Sequence, residues 1–177
     1  MNVFVLNTGR CGSTTFIQAC RHISNFSCGH ETRVSRLGNE RLDYAANHIE
    51  ADNRLSWLLG RLDARYGGQA FYVHLTRARE ATVASFAKRC EFGIMKAYRE
   101  GILMAEPECC SPEVLAQDYI ATVESNIRHF LADKPRQMEF RLEQAKRDFR
   151  VFWELIGARG GLDRALSEWD TAYNASD

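Results

Sequence analysis

The stretch that most restricts the fold is the first two dozen residues. Val3-Phe4-Val5-Leu6-Asn7 is a short, mostly apolar run that stops at Thr8-Gly9. Such a run, closed by glycine, reads as a buried strand. From Ser13 to Ile23 the residues Phe16, Ala19, Cys20 and Ile23 recur at helical spacing, which predicts an amphipathic helix. A strand, a glycine loop and a helix in that order begin a β-α-β unit, whose parallel strands need a crossover between them.

The rest of the chain repeats the alternation. Gly38 to Tyr66 reads as mainly helical, in two pieces broken near Asp52-Asn53, where either side chain can cap the second piece. Phe71-Tyr72-Val73-His74-Leu75 is a second apolar strand, with His74 read as a core or edge histidine, and a helix is expected from about Arg79 to Cys90. Glu106 to Pro112 carries two of the three prolines and is the best loop. Glu113 to Ala132 is a long helix with an apolar stripe of Leu115, Tyr119, Val123, Ile127 and Phe130. Met138 to Leu142 alternates apolar and polar, as a strand with one exposed face does. Glu143 to Ile156 is a helix that Gly157 and Gly160-Gly161 end. The expected fold class is α/β: a P-loop-like three-layer fold, helix-rich, with a short parallel sheet flanked by helices, in one domain over residues 1–177. In such sheets ligands lie beyond the carboxyl ends of the strands, so Asn7–Ser13 and Thr76-Arg77 should face one crevice.

Those two stretches also carry the chemistry. Gly9 and Gly12 permit backbone conformations that turn successive N–H groups inward. The helix that follows offers its unpaired N–H groups and positive dipole end. Ser13, Thr14 and Thr15 add hydroxyls, and Arg10 adds a charge that can bridge anionic oxygens. A phosphate or sulfonate is the expected guest. The nucleoside-triphosphate loop G-x-x-x-x-G-K-[ST] fits poorly, because the glycine spacing differs and the lysine is missing.

Gly9-Arg10-Cys11-Gly12-Ser13-Thr14 resembles the 5′-phosphosulfate loop of the sulfotransferases, G-[RK]-S-G-[TS]-[TS], with Cys11 in place of serine. The family's second signature is an arginine at a strand end and a serine eight residues later. Arg77 and Ser85 match it, Phe86 matches the aromatic that follows, and Ala78-Arg79 replaces the usual Asp-Pro. The resemblance implies a donor, 3′-phosphoadenosine 5′-phosphosulfate, held by Gly9, Arg10, Cys11, Gly12, Ser13, Thr14 and Thr15 at the phosphosulfate and by Arg77 and Ser85 at the 3′-phosphate. It implies that Arg10 stabilises the leaving oxygen, and that a late basic loop, here Arg159, adds to the 3′-phosphate site. It also implies a general base after the first helix, in Cys28-Gly29-His30-Glu31-Thr32-Arg33, with Glu31 first and His30 second. The acceptor, a small molecule or carbohydrate bearing a hydroxyl or amine, is expected against the Tyr44–Tyr66 and Tyr98–Ser111 regions. Two other readings stay open, a non-catalytic nucleotide-binding module and a small P-loop kinase.

Composition limits the remaining classes. Lys+Arg 23 balance Asp+Glu 23, which removes a general electrostatic pull toward nucleic acid or an anionic membrane. No apolar run approaches the roughly 18 residues of a membrane span, and the N-terminus lacks the basic region of a signal peptide. With no export signal, the six cysteines read as reduced thiols of a cytoplasmic protein. No metal-ligand set is apparent and no metal is expected. Oligomeric state is not legible.

Overall fold

The computed structural model describes residues 1–106 and 110–171. Five strands form one sheet: β1 (Val3–Leu6), β2 (Ser27–His30), β3 (His48–Ala51), β4 (Phe71–Thr76) and β5 (Gln137–Arg141). Their order is β2-β3-β1-β4-β5, and every pairing is parallel. Helices cover both faces. They are α1 (Ser13–Cys20), α2 (Leu59–Tyr66), α3 (Arg79–Ala87), α4 (Gly93–Ala97), α5 (Pro112–Leu131), α6 (Ala145–Leu155) and α7 (Leu162–Ser167). This is the α/β, three-layer architecture with a short parallel sheet that the sequence predicts.

The alternation of side chains along β1 divides the core in two. Val3 and Val5 face a cluster built with Phe16, Phe140, Phe149 and Phe152, under α1, α6 and α7. Phe4 and Leu6 face the other way, into Tyr72, Leu115, Tyr119 and Ile120, under α2, α3 and α5. All four β1 residues are fully buried, as a central strand covered on both faces requires. Phe16 alone has ring contacts at 5.0–5.6 Å with Phe152, Phe140 and Phe149, which fixes α1 and hence the loop before it.

The region 38–66 departs from the expected helices. Its elements are a 3₁₀ turn at Gly38–Leu42, strand β3, a second 3₁₀ turn at Asn53–Trp57, and only then α2. The strand escapes notice because Glu50 interrupts its apolar pattern. Glu50 is fully buried and satisfied by one residue distant in sequence and one beside it in the strand: it accepts from the Thr32 N–H at 2.7 Å and the Thr32 hydroxyl at 2.8 Å, and bonds His48 Nε2 at 2.9 Å. At the break the Asp52 side chain accepts from the Arg54 N–H at 2.8 Å and so caps the 3₁₀ turn, whereas α2 itself begins after Leu58 with no side-chain cap. Helix α5 starts one residue earlier than its pattern, with Ser111 as cap and Pro112 in its first turn. The proline-rich loop includes residues 107–109, which lie outside the described residues. His74 is buried in β4.

Candidate active site

Because the sheet is parallel throughout, the residues that follow all five strands gather at one rim. After β1 comes the loop Asn7–Gly12, after β2 Glu31, after β3 Asn53 and Arg54, after β4 Arg77, and after β5 Leu142. Each of these turns contributes to one open cavity of about 930 Å³. The crevice at the carboxyl ends of β1 and β4 is therefore present, and β2 and β3 extend it.

The loop after β1 is held from below. Gly9, Arg10 and Gly12 all have positive φ, at 90°, 60° and 86°. Only glycine adopts that region without cost; Arg10 is held there by its surroundings. The Asn7 side chain accepts from the Gly9 N–H at 2.8 Å. The Thr8 carbonyl accepts from the Tyr119 hydroxyl at 2.7 Å and from the Asn53 amide at 3.5 Å, and the Asn7 carbonyl accepts from the Ser56 hydroxyl at 3.1 Å. With its carbonyls tied downward in this way, the loop presents its upper side to the cavity. Gly12, not Ser13, is the N-cap residue of α1, and no side chain or first-turn acid caps that end. Ser13, Thr14 and Thr15 of its first turn line the cavity, the position at which a helix N-terminus receives an anion.

Gly9, Arg10, Gly12, Ser13, Thr14 and Thr15 line the cavity. Cys11 does not. Its side chain is buried beneath the loop, where the thiol donates to the Gly9 carbonyl at 3.1 Å and lies 3.2 Å from the Thr8 hydroxyl. Burial pushes its pKa up to about 11, so it is a neutral strut.

The second motif meets the first. The Arg10 Nε donates to the Ser85 hydroxyl at 2.9 Å, and Arg77 Nη1 donates to the Arg10 carbonyl at 3.3 Å. Residues 75 and 67 positions apart are so brought into one cluster. The Arg10 guanidinium has its pKa lowered, first by burial and then by the positive charges of Arg89 and Arg77.

Both candidate bases reach the cavity from the end of β2. His30 Nε2 is 2.9 Å from the Ser13 hydroxyl. Glu31 follows in a left-handed conformation, φ 53°, with its N–H bonded to the Ala51 carbonyl at 3.0 Å and its carboxylate 2.9 Å from Arg54. The Glu50 bonds to Thr32 hold the next residue of the same turn.

Arg159 lies elsewhere. Its carbonyl accepts from the Ser24 N–H at 2.7 Å, and its N–H donates to Asn25 at 2.8 Å. Gly160 sits against the His22 carbonyl so closely that a Cβ would meet it at 2.2 Å. This loop is thus tied to the far end of α1, a helix about 12 Å long by its residue count. Arg159 is not part of the cavity lining. Of the regions expected on the acceptor side, 44–66 contributes Asn53 and Arg54, whereas Phe92, Ile94 and Met95, and not the described residues of 98–111, supply the apolar wall.

Among the lining residues that escape the sequence reading are Arg54, Lys88, Arg89 and Trp169. Arg89 has a local signal, because it stands four residues after Ser85 on one helical face. Arg54 has none without β3.

No protein-family model matches the chain, and no curated protein matches it in sequence. Solved structures do match in fold. A sulfotransferase domain from the curacin biosynthetic pathway superimposes with a TM-score of 0.66 at 13% identity, covering 97% of this chain and 78% of its own. Mouse sulfotransferase SULT7A1, complexed with PAP, superimposes with a TM-score of 0.56 at 11% identity, covering 97% of this chain and 67% of its own. The chain therefore has the fold of the sulfotransferases. No helix among the described residues is long and apolar enough to cross a membrane.

Proposed function

We propose that this chain, acting as one domain, transfers a sulfuryl group from 3′-phosphoadenosine 5′-phosphosulfate to a hydroxyl or amine of a small-molecule or carbohydrate acceptor. The observation that carries the reading is the junction of the two motifs, with Arg10, Ser85 and Arg77 linked to one another at the mouth of an uncapped helix. The PAP complex of SULT7A1, a fold neighbour, is consistent with such a donor.

In this reading the loop N–H groups and the hydroxyls of Ser13, Thr14 and Thr15 hold the phosphosulfate. Arg77 and Ser85 hold the 3′-phosphate, and Arg10 sits between the two anionic ends. The acceptor oxygen forms a bond to sulfur as the bond from sulfur to the bridging oxygen breaks. That oxygen takes the electron pair, and adenosine 3′,5′-bisphosphate leaves. Arg10 stabilises the charge growing on the bridging oxygen. Glu31 takes the acceptor proton, with Arg54 keeping its carboxylate oriented. His30, bonded to Ser13, is the second choice of base. No step calls on a metal.

The test is calorimetric titration with adenosine 3′,5′-bisphosphate and, separately, ATP with Mg²⁺, using wild type and Arg77→Ala. The bisphosphate should bind more tightly than ATP, and Arg77→Ala should weaken it by about 10- to 100-fold, the scale of a lost charge-assisted pair. Preference for ATP would bring the kinase reading forward. Release of bisphosphate from the donor, assayed over a set of hydroxyl and amine acceptors, should fall in Glu31→Gln with donor affinity retained. If no acceptor supports release, the site is a binding module.

A further inference from the structure

We infer that Arg89 is the third cation of the 3′-phosphate site, taking the place that the family resemblance assigns to Arg159; this rests on the donor site proposed above. Past residue 89 the cavity wall, among the described residues, carries no cation: its later part consists of residues such as Leu142, Ala145, Trp169 and Asp170. The loop bearing Arg159 is anchored at the far end of α1 through backbone bonds to Ser24 and Asn25, and Arg159 does not line the cavity. Arg89 and Ser85 both line the cavity. Helix α3 continues through Lys88 into the turn where the Arg89 N–H bonds the Phe86 carbonyl at 2.8 Å. Residues i and i+4 share a helical face, so Arg89 stands one turn beyond Ser85 on the side that Arg10 and Arg77 reach. Its proximity to them is also felt as charge, since it is the leading electrostatic influence on Arg10. The neighbouring Lys88 is set differently, as it also borders the separate groove between α3 and the start of α5.

The chemistry suits the position. A phosphomonoester carries close to two negative charges at neutral pH, and an arginine fork can meet two of its oxygens at once. Recognition of the 3′-phosphate would then come entirely from the β4–α3 unit, through Arg77, Ser85 and Arg89, without a contribution from the C-terminal third of the chain.

The experiment compares adenosine 3′,5′-bisphosphate with adenosine 5′-monophosphate, which differ only in the 3′-phosphate. Dissociation constants are measured for wild type, Arg89→Ala, Arg89→Lys and Arg159→Ala. Arg89 is exposed, so the variants should melt with wild type. Arg89→Ala is expected to weaken the bisphosphate by about 10- to 100-fold and to leave the monophosphate unchanged. Arg89→Lys should recover part of the loss, and Arg159→Ala should change neither ligand. A wild-type protein that prefers the bisphosphate, with Arg89→Ala indifferent or equally weakened on both ligands, overturns the role of Arg89 alone. A wild-type protein that does not distinguish the two nucleotides overturns the donor site itself.

Discussion

Removing one buried hydroxyl should loosen the anion loop without touching any residue that faces the cavity. Tyr119 is fully buried in α5, and its hydroxyl donates to the Thr8 carbonyl at 2.7 Å. Burial raises its pKa above the usual tyrosine value, so it stays a neutral donor across the working range. In Tyr119→Phe the ring remains, with its edge contacts to Phe86 and Tyr98 at 5.1 and 5.3 Å, and only the hydrogen bond is lost. The Thr8 carbonyl then keeps just the long Asn53 contact of 3.5 Å. A buried acceptor left nearly unsatisfied costs about 1–3 kcal/mol; the remaining Asn53 contact places the expectation near the lower half, about 1–2 kcal/mol. For a chain of this size that is a fall in Tm of roughly 2–8 °C. The loop should also bind adenosine 3′,5′-bisphosphate more weakly, by about 3- to 10-fold, if half or more of that energy was positioning the loop. Differential scanning calorimetry and titration read the two effects separately. An unchanged Tm would refute the claim that the Thr8 carbonyl depends on Tyr119. A lowered Tm with unchanged affinity would refute the claim that this anchor shapes the anion site.

Two further substitutions probe the same loop. Gly12→Ala should abolish nucleotide binding and lower stability, because φ is 86° and a Cβ would stand 2.7 Å from Leu142 Cδ1; titration and a thermal melt check it, and an alanine variant with wild-type affinity would contradict it. Cys11 should resist alkylation in the folded state at pH 8, since its thiol is buried and shifted up to about 11 from 9.0, whereas the partly exposed Cys90 reacts; mass mapping after brief iodoacetamide treatment reads this. The raised value also stabilises the fold below about pH 9, and that stability fades as pH climbs from 9 toward 11, so Cys11→Ser should show a shallower alkaline loss in melts between those limits.

What was legible in the sequence was what the chain writes locally. The anion loop, its strand and its helix are consecutive, and Arg77 and Ser85 are tied by strand end and helix face. The long helix α5 announces itself by periodicity and by Ser111-Pro112. Strands β2 and β3 do not. Ser27-Cys28-Gly29-His30 has little β character, and His48-Ile49-Glu50-Ala51 hides a buried acid that the distant Thr32 and the nearby His48 make tolerable. Missing β3 also concealed Arg54, which reaches the rim only because a strand ends just before it. Arg159 lies away from the cavity for a reason the sequence does not carry locally. A basic residue beside glycines matches a loop pattern, but the pattern does not say to which end of the molecule the loop is tied. The Gly160 contact with His22, 138 residues earlier in the chain, decides that.

The neutral net charge and the proposed anion site are compatible because charge acts at short range here. In water of physiological ionic strength, exposed charges are screened beyond about 8 Å, so a chain with 23 basic and 23 acidic side chains has little far field. Within the cavity the balance is different: Arg10, Arg54, Arg77, Lys88 and Arg89 line it against Glu31 and Asp170. Arg54 is paired with Glu31, and Asp170 with Lys146 from outside the cavity at 2.6 Å. Arg10, Arg77, Lys88 and Arg89 line the same cavity. An extended polyanion gains from a long stripe of charge, with counterions released along its length, and a rim a few residues wide offers little of that. Under the proposed function, a compact ligand with two anionic ends meets Arg10 at the helix mouth and Arg77 at the strand end together. The proposed function thus asks for charge density within one small molecule, which a neutral chain can provide by placing its cations after β1, after β4 and just past the end of α3.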